Sequence, residues 1–387
     1  MDSIRLKLRE DSFLVQDQAF FNEIRSRRFS DSQRYKVEKT NNAFRRRLSA
    51  EGVYAPKFWL DDNSLGVPSD TLILEFSVAK LLYGTNLREV SEADLPAIIQ
   101  KLKAFLKLIG IGVFERELLH ATIVLVAYAK NVPIDHLGKV SEILRVIAPF
   151  DYRPRSEFTR VEYRQGASTS ALKYFNSSSH LTLYDKLGEI LHEPVTQEER
   201  KIAHYLEGRA SATVFQDLVR ETLRVEFTLH NKVAVKQAMA KYYGRRNDYT
   251  LEEVFKDHIR DELLRNEVNR IFNHPLKEIV LLSVYGRDTF NAVINQYCKS
   301  FTQQAEIRFM LDVLLARGLK ALRDEVLLKS TKRTWFRKQK KLKAVASKIE
   351  LPQGITQLDN ARVLEYLLSQ FGIQLNLSAP KQLTLLG

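Results

Sequence analysis

The chain has 387 residues, of which 44% are hydrophobic, and it carries a formal net charge of +13. At about 150 residues per domain, its length predicts two or three domains. Its charge favours a polyanionic partner, either nucleic acid or an anionic membrane. The single cysteine, Cys298, excludes an intramolecular disulfide framework and a Cys₄ zinc site. Because Cys298 lies in a helical pattern, we expect a packed core thiol rather than a nucleophile.

Sequence features also bear on the compartment. A single cysteine fits a reducing cytoplasm. The first residues alternate charged and apolar side chains, without the apolar run of a signal peptide. The longest apolar stretch, residues 121–129, is too short for a helix that spans a bilayer. We therefore expect a cytoplasmic protein with no membrane partner.

Strand patterns dominate the first 232 residues. Apolar Ile4, Leu6 and Leu8 alternate with charged residues, which is typical of a half-buried strand. Further strand-like segments are 71–77, 118–128, 156–165, 172–175, 180–186 and 222–230. Helical periodicity occupies 92–109, 134–148 and about 196–220. Since this order shows no βαβ repeat, we predict an α+β domain with a mainly antiparallel sheet.

Helical patterns replace the strands after residue 232. Residues 233–347 are typical of successive helices, with Gly244 and Pro275 as breakers. One more short helix is expected after Pro352. The sequence therefore predicts an α+β domain over 1–232, followed by a helical C-terminal domain over 233–387.

Two of the predicted strands carry a polar face opposite an apolar one. A hairpin with a polar turn leads into the sequence His180-Leu-Thr-Leu-Tyr184-Asp-Lys186-Leu-Gly-Glu189. Strand alternation places Tyr184 and Lys186 on one side. In the downstream strand, Arg224 and Glu226 lie opposite the apolar residues. If both strands belong to one sheet, these polar residues line either a cleft or a solvated outer face.

A tyrosine beside a cation and carboxylates can cut a phosphodiester bond. The phenol alone is a poor nucleophile because its pKa is about 10, but a cation or metal that favours the phenolate activates it. Lys186, two residues after Tyr184, is the expected assisting cation. Carboxylates and a histidine suit Mg²⁺ or Mn²⁺. We therefore expect Tyr184 as the nucleophile, with Glu226 and either His120 or Glu189 holding the metal ion.

The metal ligands have alternatives. His120 heads a predicted strand among apolar neighbours, where a structural role competes with a ligand role. Glu115, Glu117 and Glu75 are further candidate ligands. The sequence contains no Walker A, G-x-G-x-x-G or H-E-x-x-H motif. This absence argues against ATP-driven and zinc-protease chemistry.

Basic segments supply candidate DNA contacts. In the later one the candidates are Lys332, Arg333, Trp335, Arg337, Lys338, Lys340 and Lys341. These cations would neutralise phosphates and release counterions, and their helix would suit a major groove; the other interpretation is a solvated face. Its two aromatic residues, Trp335 and Phe336, either stack on bases or anchor the helix. An earlier patch, within a predicted loop or helix over 24–47, comprises Arg45, Arg46 and Arg47. Arg224 is a further candidate contact.

The order of several motifs resembles the gene II/X replication initiators of phages and plasmids, which include the filamentous-phage replication endonuclease. The matching motifs are Ser77-x-Ala79-Lys80-x-Leu82-x-Gly84-x-Asn86, Phe175-Asn176 before His180, Tyr184-x-Lys186-x-x-Glu189, Arg224-x-Glu226, and Trp335 in a late basic segment. They extend over roughly residues 70–345. Where the family has an R-I-D strand, this chain has Leu118-Leu-His120, and it lacks the H-x-H pair of the wider HUH nucleases.

The resemblance implies an HUH-like endonuclease domain that initiates rolling-circle replication. Such a protein binds a double-stranded origin, nicks one strand and stays joined to the 5′ phosphate through its tyrosine, here Tyr184. A host helicase and polymerase then extend the free 3′ end, and a later transfer recloses the displaced single strand. The resemblance also implies a bacterial host cell. Three alternatives stay open: a plasmid relaxase with the same chemistry, a non-catalytic DNA-binding replication regulator, and an RNA-binding protein.

Overall fold

The structure, a computed structural model, describes residues 1–17, 48, 54–61, 71–148, 159–165, 168–208, 219–272, 291, 294–346 and 359–374. It has an α+β fold with a mainly antiparallel sheet, which confirms the expected fold class. The strands are β1 (Ser3–Leu8), β2 (Leu14–Val15), β3 (Lys57–Asp61), β4 (Thr71–Ser77), β5 (Ile111–Gly112), β6 (Thr122–Pro133), β7 (Thr159–Gln165), β8 (Ser168–Phe175), β9 (Ser179–Asp185) and β10 (Thr222–Leu229). The large sheet has the strand order β3-β4-β1-β6-β10-β9-β8-β7, and β2 pairs with β5.

The α-helices of the described residues follow in chain order. They are α1 (Val78–Tyr83), α2 (Leu95–Leu108), α3 (Glu115–Leu119), α4 (Val140–Ile147), α5 (Lys186–His192), α6 (Gln197–Leu206), α7 (Lys232–Tyr243), α8 (Leu251–Val254), α9 (Asp257–Phe272), α10 (Phe301–Leu328), α11 (Lys332–Ala346) and α12 (Asp359–Ser369). Short 3₁₀ turns lie at Glu10–Ser12 and Glu92–Asp94. The predicted strand at 71–77 and the helix within 92–109 are confirmed.

The chain divides into two compact units, each built from two separate stretches. The first comprises residues 1–135 and 173–264, and the second comprises residues 136–172 and 265–387. The expected boundary between residues 232 and 233 falls inside the first unit. Residues 233–264 therefore pack with the sheet that precedes them, although their pattern is helical.

The first strand of the chain lies in the middle of the sheet of the first unit. Ser3 pairs with Ser77 of β4 on one side and with Ala127 of β6 on the other, both antiparallel. Ile4 and Leu6 are fully buried, because alternation places them on the apolar face of the sheet. The strand thus forms part of the core, and its polar residues lie on the opposite face.

Local sequence explains how helices begin beside this sheet. The Ser77 side chain accepts a hydrogen bond from the Lys80 backbone N–H and caps α1, and Gly84, at φ +73°, ends that helix. In α2, proline stands in the first turn, where it fits without loss of a helical hydrogen bond. The buried residues of α2 form one face: Leu95, Ile98, Ile99, Leu102, Phe105 and Leu106.

The predicted strand at 118–128 begins four residues too early. Leu118 belongs to α3 and is fully buried there, and β6 starts at Thr122 and continues to Pro133. Leucine favours helices more than β-branched residues do, and the β-branched run begins only at Thr122. His120 therefore lies at the end of a helix rather than in a strand.

The second unit contains helices packed around buried apolar residues. His136 contacts Tyr366 edge to face, with ring centroids 4.4 Å apart, and Arg265 donates to the backbone oxygen of Phe371 at 2.8 Å. Cys298 is buried, which confirms the expected core thiol. Candidate active-site residues before 230 thus belong to the first unit, and the late basic segment belongs to the second.

Candidate active site

The two strands that carry the polar motif are neighbours. In β9 and β10, Tyr184 pairs with Arg224, Thr182 with Glu226 and His180 with Thr228. The predicted shared sheet is therefore confirmed. The polar residues Thr182, Tyr184, Glu226, His180 and His230 are half-buried. This face is therefore neither sealed nor fully solvated.

A side-chain amide organises the turn between β8 and β9. The side-chain Oδ1 of Asn176 accepts hydrogen bonds from the backbone N–H groups of Ser178 and Ser179, at 2.8 and 2.6 Å. The His230 backbone N–H donates to the Ser178 oxygen at 2.9 Å. These contacts join the turn to β10 and fix the register that brings Tyr184 opposite Arg224.

Arg224 is a buried structural cation. Its side chain is only 3% exposed, and its guanidinium lies 2.7 Å from an Asp2 carboxylate oxygen. It also donates to the backbone oxygen of Asn86 at 2.8 Å and to the side-chain oxygen of Asn131 at 2.7 Å. The expectation that Arg224 contacts DNA is therefore wrong, because its hydrogen bonds are directed to buried protein groups.

Asp2 and Glu226 form a coupled carboxyl pair beside Arg224. Burial, and next the neighbouring Asp2 charge, raise the pKa of Glu226 to about 7. Burial alone would raise the pKa of Asp2, but Arg224 and Lys186 outweigh that effect and hold it below its usual range. The Thr228 hydroxyl donates to Glu226 at 3.2 Å. Near neutral pH, Asp2 therefore holds the negative charge and Glu226 exchanges a proton.

Tyr184 stays protonated in this setting. Burial raises the pKa of its phenol well above the usual value of 10; Arg224 opposes the rise, and Glu226 and Glu189 add to it. The Lys186 ammonium lies 5.6 Å from the centre of the Tyr184 ring. The phenol therefore needs a proton acceptor before it can attack phosphorus.

Lys186 does not continue the strand, as its alternation had predicted. The Asp185 side chain accepts from the Gly188 backbone N–H at 2.8 Å and caps α5, so Lys186 is the first residue of that helix. It is fully buried, and its ammonium donates to Glu189, which is 42% exposed, at 2.5 Å. Burial lowers the pKa of Lys186, against the opposing charge of Glu189. Lys186 thus lies next to Tyr184 as expected, but from a helix.

His120 lies far from these residues. It is exposed at the end of α3, with its Nδ1 3.0 Å from the Arg116 backbone oxygen. The partner of Glu226 on β6 is Ala129, seven residues after Thr122. At 3.3 Å per residue, this separates Glu226 from the start of the strand by about 23 Å. The expected pairing of His120 with Glu226 around a cation is wrong.

The expected metal ligands do not form a site. Within the part of the chain that the structure describes, no three histidine, cysteine, aspartate or glutamate side chains converge. Glu189 pairs with Lys186, and the carboxyl group of Glu226 interacts with Asp2, which Arg224 already neutralises. These residues therefore do not fit a protein-held Mg²⁺ or Mn²⁺, and a divalent requirement stays a prediction.

A histidine pair also lies on this face, and the sequence analysis did not identify it. His180 Nδ1 and His230 Nε2 are 2.5 Å apart. Burial, and next the nearby Lys173 charge, lower the pKa of both rings, to about 3 for His180. Two neutral imidazoles, one donating and one accepting, satisfy this contact. Strand alternation puts both on the polar side, but only the register reveals that they meet.

Asp2 was also missed, because a carboxylate ahead of the first strand carries no motif. Its function depends on β1 lying beside β6, which places Asp2 near β10. The Asp2 backbone N–H donates to the Ala127 oxygen at 2.8 Å and fixes that position. Local sequence cannot signal this long-range placement.

The basic candidates separate into buried, paired and exposed groups. Trp335 is 6% exposed and anchors α11. Lys338 and Lys341 each pair with Glu306 of α10 at 2.8 Å. The exposed candidates are Lys332, Arg333, Arg337 and Lys340. Arg45, Arg46 and Arg47 lie outside the described residues.

Comparisons with models of known protein families, with curated proteins and with solved structures give no match. Residue roles therefore rest on sequence pattern and geometry. In the portion of the chain that the structure describes, no helix is long and apolar enough to cross a membrane.

Proposed function

We propose that the protein nicks and rejoins DNA at a double-stranded replication origin and thereby initiates rolling-circle replication. One observation carries this proposal. Tyr184 lies directly across the strand pair from Arg224, beside the Lys186 ammonium and near Glu226, a carboxyl whose pKa is about 7. A phenol with a cation and a proton acceptor beside it supplies the nucleophile, the charge stabilisation and the base for phosphodiester transfer to tyrosine.

The chemistry follows from these neighbours. The ionised Glu226 accepts the phenol proton as the Tyr184 oxygen attacks phosphorus. The bond from phosphorus to the 3′ oxygen breaks, and this oxygen takes a proton from water to give a free 3′ hydroxyl. Tyr184 is then esterified to the 5′ phosphate. Lys186, whose ammonium lies beside the Tyr184 ring, stabilises the negative charge that develops during attack.

Rejoining reverses the same steps. A 3′ hydroxyl attacks the phosphotyrosine and gives its proton to water, and the protonated Glu226 returns its proton to the departing Tyr184 oxygen. The ester bond is exchanged for a phosphodiester bond, so no nucleotide is consumed. This fits the absence of a Walker A motif from the sequence.

The test uses supercoiled DNA that contains the region around the coding sequence of this chain. We expect open circles with covalently bound protein, and mass mapping should locate the nucleotide on Tyr184. Tyr184→Phe should abolish both, and Tyr205→Phe, at a half-buried tyrosine of α6, is the matched control. Parallel reactions with Mg²⁺, Mn²⁺ and a chelator test the divalent requirement. Unchanged nicking by Tyr184→Phe would rule out this nucleophile.

Two observations favour a second function, that of a DNA-binding replication regulator without catalysis. The pKa of Tyr184 lies well above 10, and the described residues provide no three-ligand metal group. Such a protein would bind the origin but would never form an adduct under any divalent ion. A plasmid relaxase would instead form the adduct on a single-stranded substrate, so comparing supercoiled and single-stranded DNA separates the three functions.

A further inference from the structure

One face of α11 carries four cations around an aromatic residue. We call Lys332, Arg333, Phe336, Arg337 and Lys340 the basic stripe; all five are exposed. The opposite face of the helix contains the buried Trp335 and Leu342. The stripe is therefore the outer surface of a helix whose inner side is anchored.

The cations of the stripe differ from the other lysines of α11. Lys338 and Lys341 are held by Glu306 of α10, at 2.8 Å each. Within the described residues, no ion pair involves Lys332, Arg333, Arg337 or Lys340. Arg333 and Arg337 are also four residues apart, an arrangement of like charges that destabilises an isolated helix. A polyanion would relieve this repulsion.

The spacing of the stripe suits a nucleic-acid backbone. Lys332, Phe336 and Lys340 are successive residues of one i, i+4 row, and Arg333 and Arg337 form the adjacent row. At 1.5 Å per residue, the outer lysines are about 12 Å apart along the axis. This length matches a few nucleotides of DNA.

The exposed ring of Phe336 favours single-stranded over duplex DNA as the ligand. It is 64% exposed at the centre of the stripe, among cations rather than other apolar residues. Bases within a duplex are already stacked, and its groove offers an aromatic ring little beyond thymine methyl groups. An unpaired base offers a whole ring face, and stacking on aromatic side chains is a common device of single-strand binding.

We propose that the basic stripe binds single-stranded DNA, with Phe336 stacked on an unpaired base and the four cations along the phosphates. The binding does not depend on the chemistry of Tyr184. Its use, to hold the strand displaced from a nicked origin, rests on the proposed function.

The test measures binding of fluorescent 15-nucleotide DNA by the full chain, with Tyr184→Phe included to prevent cleavage. Phe336→Ala should weaken single-strand binding about tenfold, as loss of one stacked base predicts. Phe114→Ala, which truncates another exposed phenylalanine in the first unit, should leave the affinity unchanged. Because Phe336 is exposed, its variant should retain the helical circular dichroism of the parent.

Salt dependence tests the cations. Four phosphate contacts contribute about −2.8 to the slope of log K against log salt for single strands, and Arg337→Gln should reduce the slope by about 0.7. Equal affinity of Phe336→Ala and its parent would overturn the proposal and leave a solvated face. Tighter binding of duplex DNA, or of RNA, would overturn the choice of partner. Absence of nicking with intact single-strand binding would reject only the proposed function.

Discussion

The two cationic regions of the protein hold their charges in opposite ways. Arg224 and Lys186 are buried, and their charged groups are committed to carboxylates and carbonyl oxygens of the protein. Lys332 and Arg337 lie on the exposed face of a helix in the other unit. A buried cation whose partner is lost leaves an uncompensated charge, whereas an exposed one is solvated. A cationic side chain thus stabilises the fold in the first region, whereas in the second region it is available to bind a ligand.

Removing a buried cation should give the largest effect. Arg224→Met should lower the free energy of unfolding by about 3–5 kcal/mol, because Asp2 would remain buried without its partner. Arg337→Met is the matched change in the basic stripe and should alter stability by less than about 0.5 kcal/mol. Urea unfolding measures both. Equal free energies of unfolding for the two variants would contradict the claim that only the buried cations stabilise the fold.

Glu226 should give a smaller effect that depends on pH. Because its pKa is raised, the folded state binds the Glu226 proton more tightly than the unfolded state does. The free energy of unfolding therefore falls as pH rises from 4.5 through about 7. Glu226→Gln should therefore raise the unfolding free energy by about 1–3 kcal/mol at pH 8 and change it little at pH 4.5. It should also abolish nicking, which in the parent should increase with pH through about 7.

Glu75 is the control of opposite sign. Burial alone would raise its pKa, but Arg5 and Lys57 outweigh that effect and lower it. The stability that it contributes is therefore present above its usual pKa and is lost as pH falls. Glu75→Gln should destabilise the protein at pH 8, and a gain there would contradict the electrostatic explanation for both glutamates.

The histidine pair should give a still smaller effect. The lowered pKa values of His180 and His230 mean that protonation favours the unfolded state. Stability should fall as pH drops below about 6.5, and His180→Asn should reduce that loss by about 1 kcal/mol between pH 7 and 5. His120→Asn, at an exposed position outside the pair, is the control. Parallel pH curves for His180→Asn and the parent would count against the pair.

The smallest expected effect separates stability from binding within the basic stripe. Arg333→Glu would replace a like-charge arrangement with Arg337 by an i, i+4 ion pair, which should stabilise α11 by about 0.2–0.5 kcal/mol. The same change should weaken single-strand binding, because a phosphate contact becomes repulsive. Thermal unfolding measures the stability, and fluorescence anisotropy on the same sample measures the affinity for single-stranded DNA. An increase or a decrease in both would contradict the role of Arg333 in the basic stripe.

Periodicity predicted the elements of the fold well where the pattern was strong. The strand at 71–77 was located because it is a run of consecutive, mostly buried residues, and the helix within 92–109 because its apolar residues form one buried face. Local alternation failed at Lys186, since Asp185 caps a helix there, and at Leu118, whose neighbours favour a helix. The division into two units was not accessible, because it depends on which distant segments pack together.

The candidate site was predictable only in part. Tyr184 and Glu226 were found because strand alternation gives their facing direction, and the structure places their strands side by side. The sequence did not indicate which residues contact each other. Asp2 contacts Arg224 from a distant part of the chain, and His180 contacts His230 through a strand register that alternation does not fix. Trp335 and Lys338 were indistinguishable from exposed residues until the packing of α10 and α11 was known.

The central position of β1 makes assembly of the sheet a late event during synthesis. Its neighbours are β4, which ends at Ser77, and β6, which ends at Pro133. At about 5–20 residues per second, the ribosome needs several seconds to complete the second neighbour after the first strand has emerged. Until then the backbone edge of β1 that faces β6 lacks its partner, and apolar Ile4, Leu6 and Leu8 wait for the completed core. Slow closure of long-range pairs would make nascent chains of this protein depend on chaperone protection.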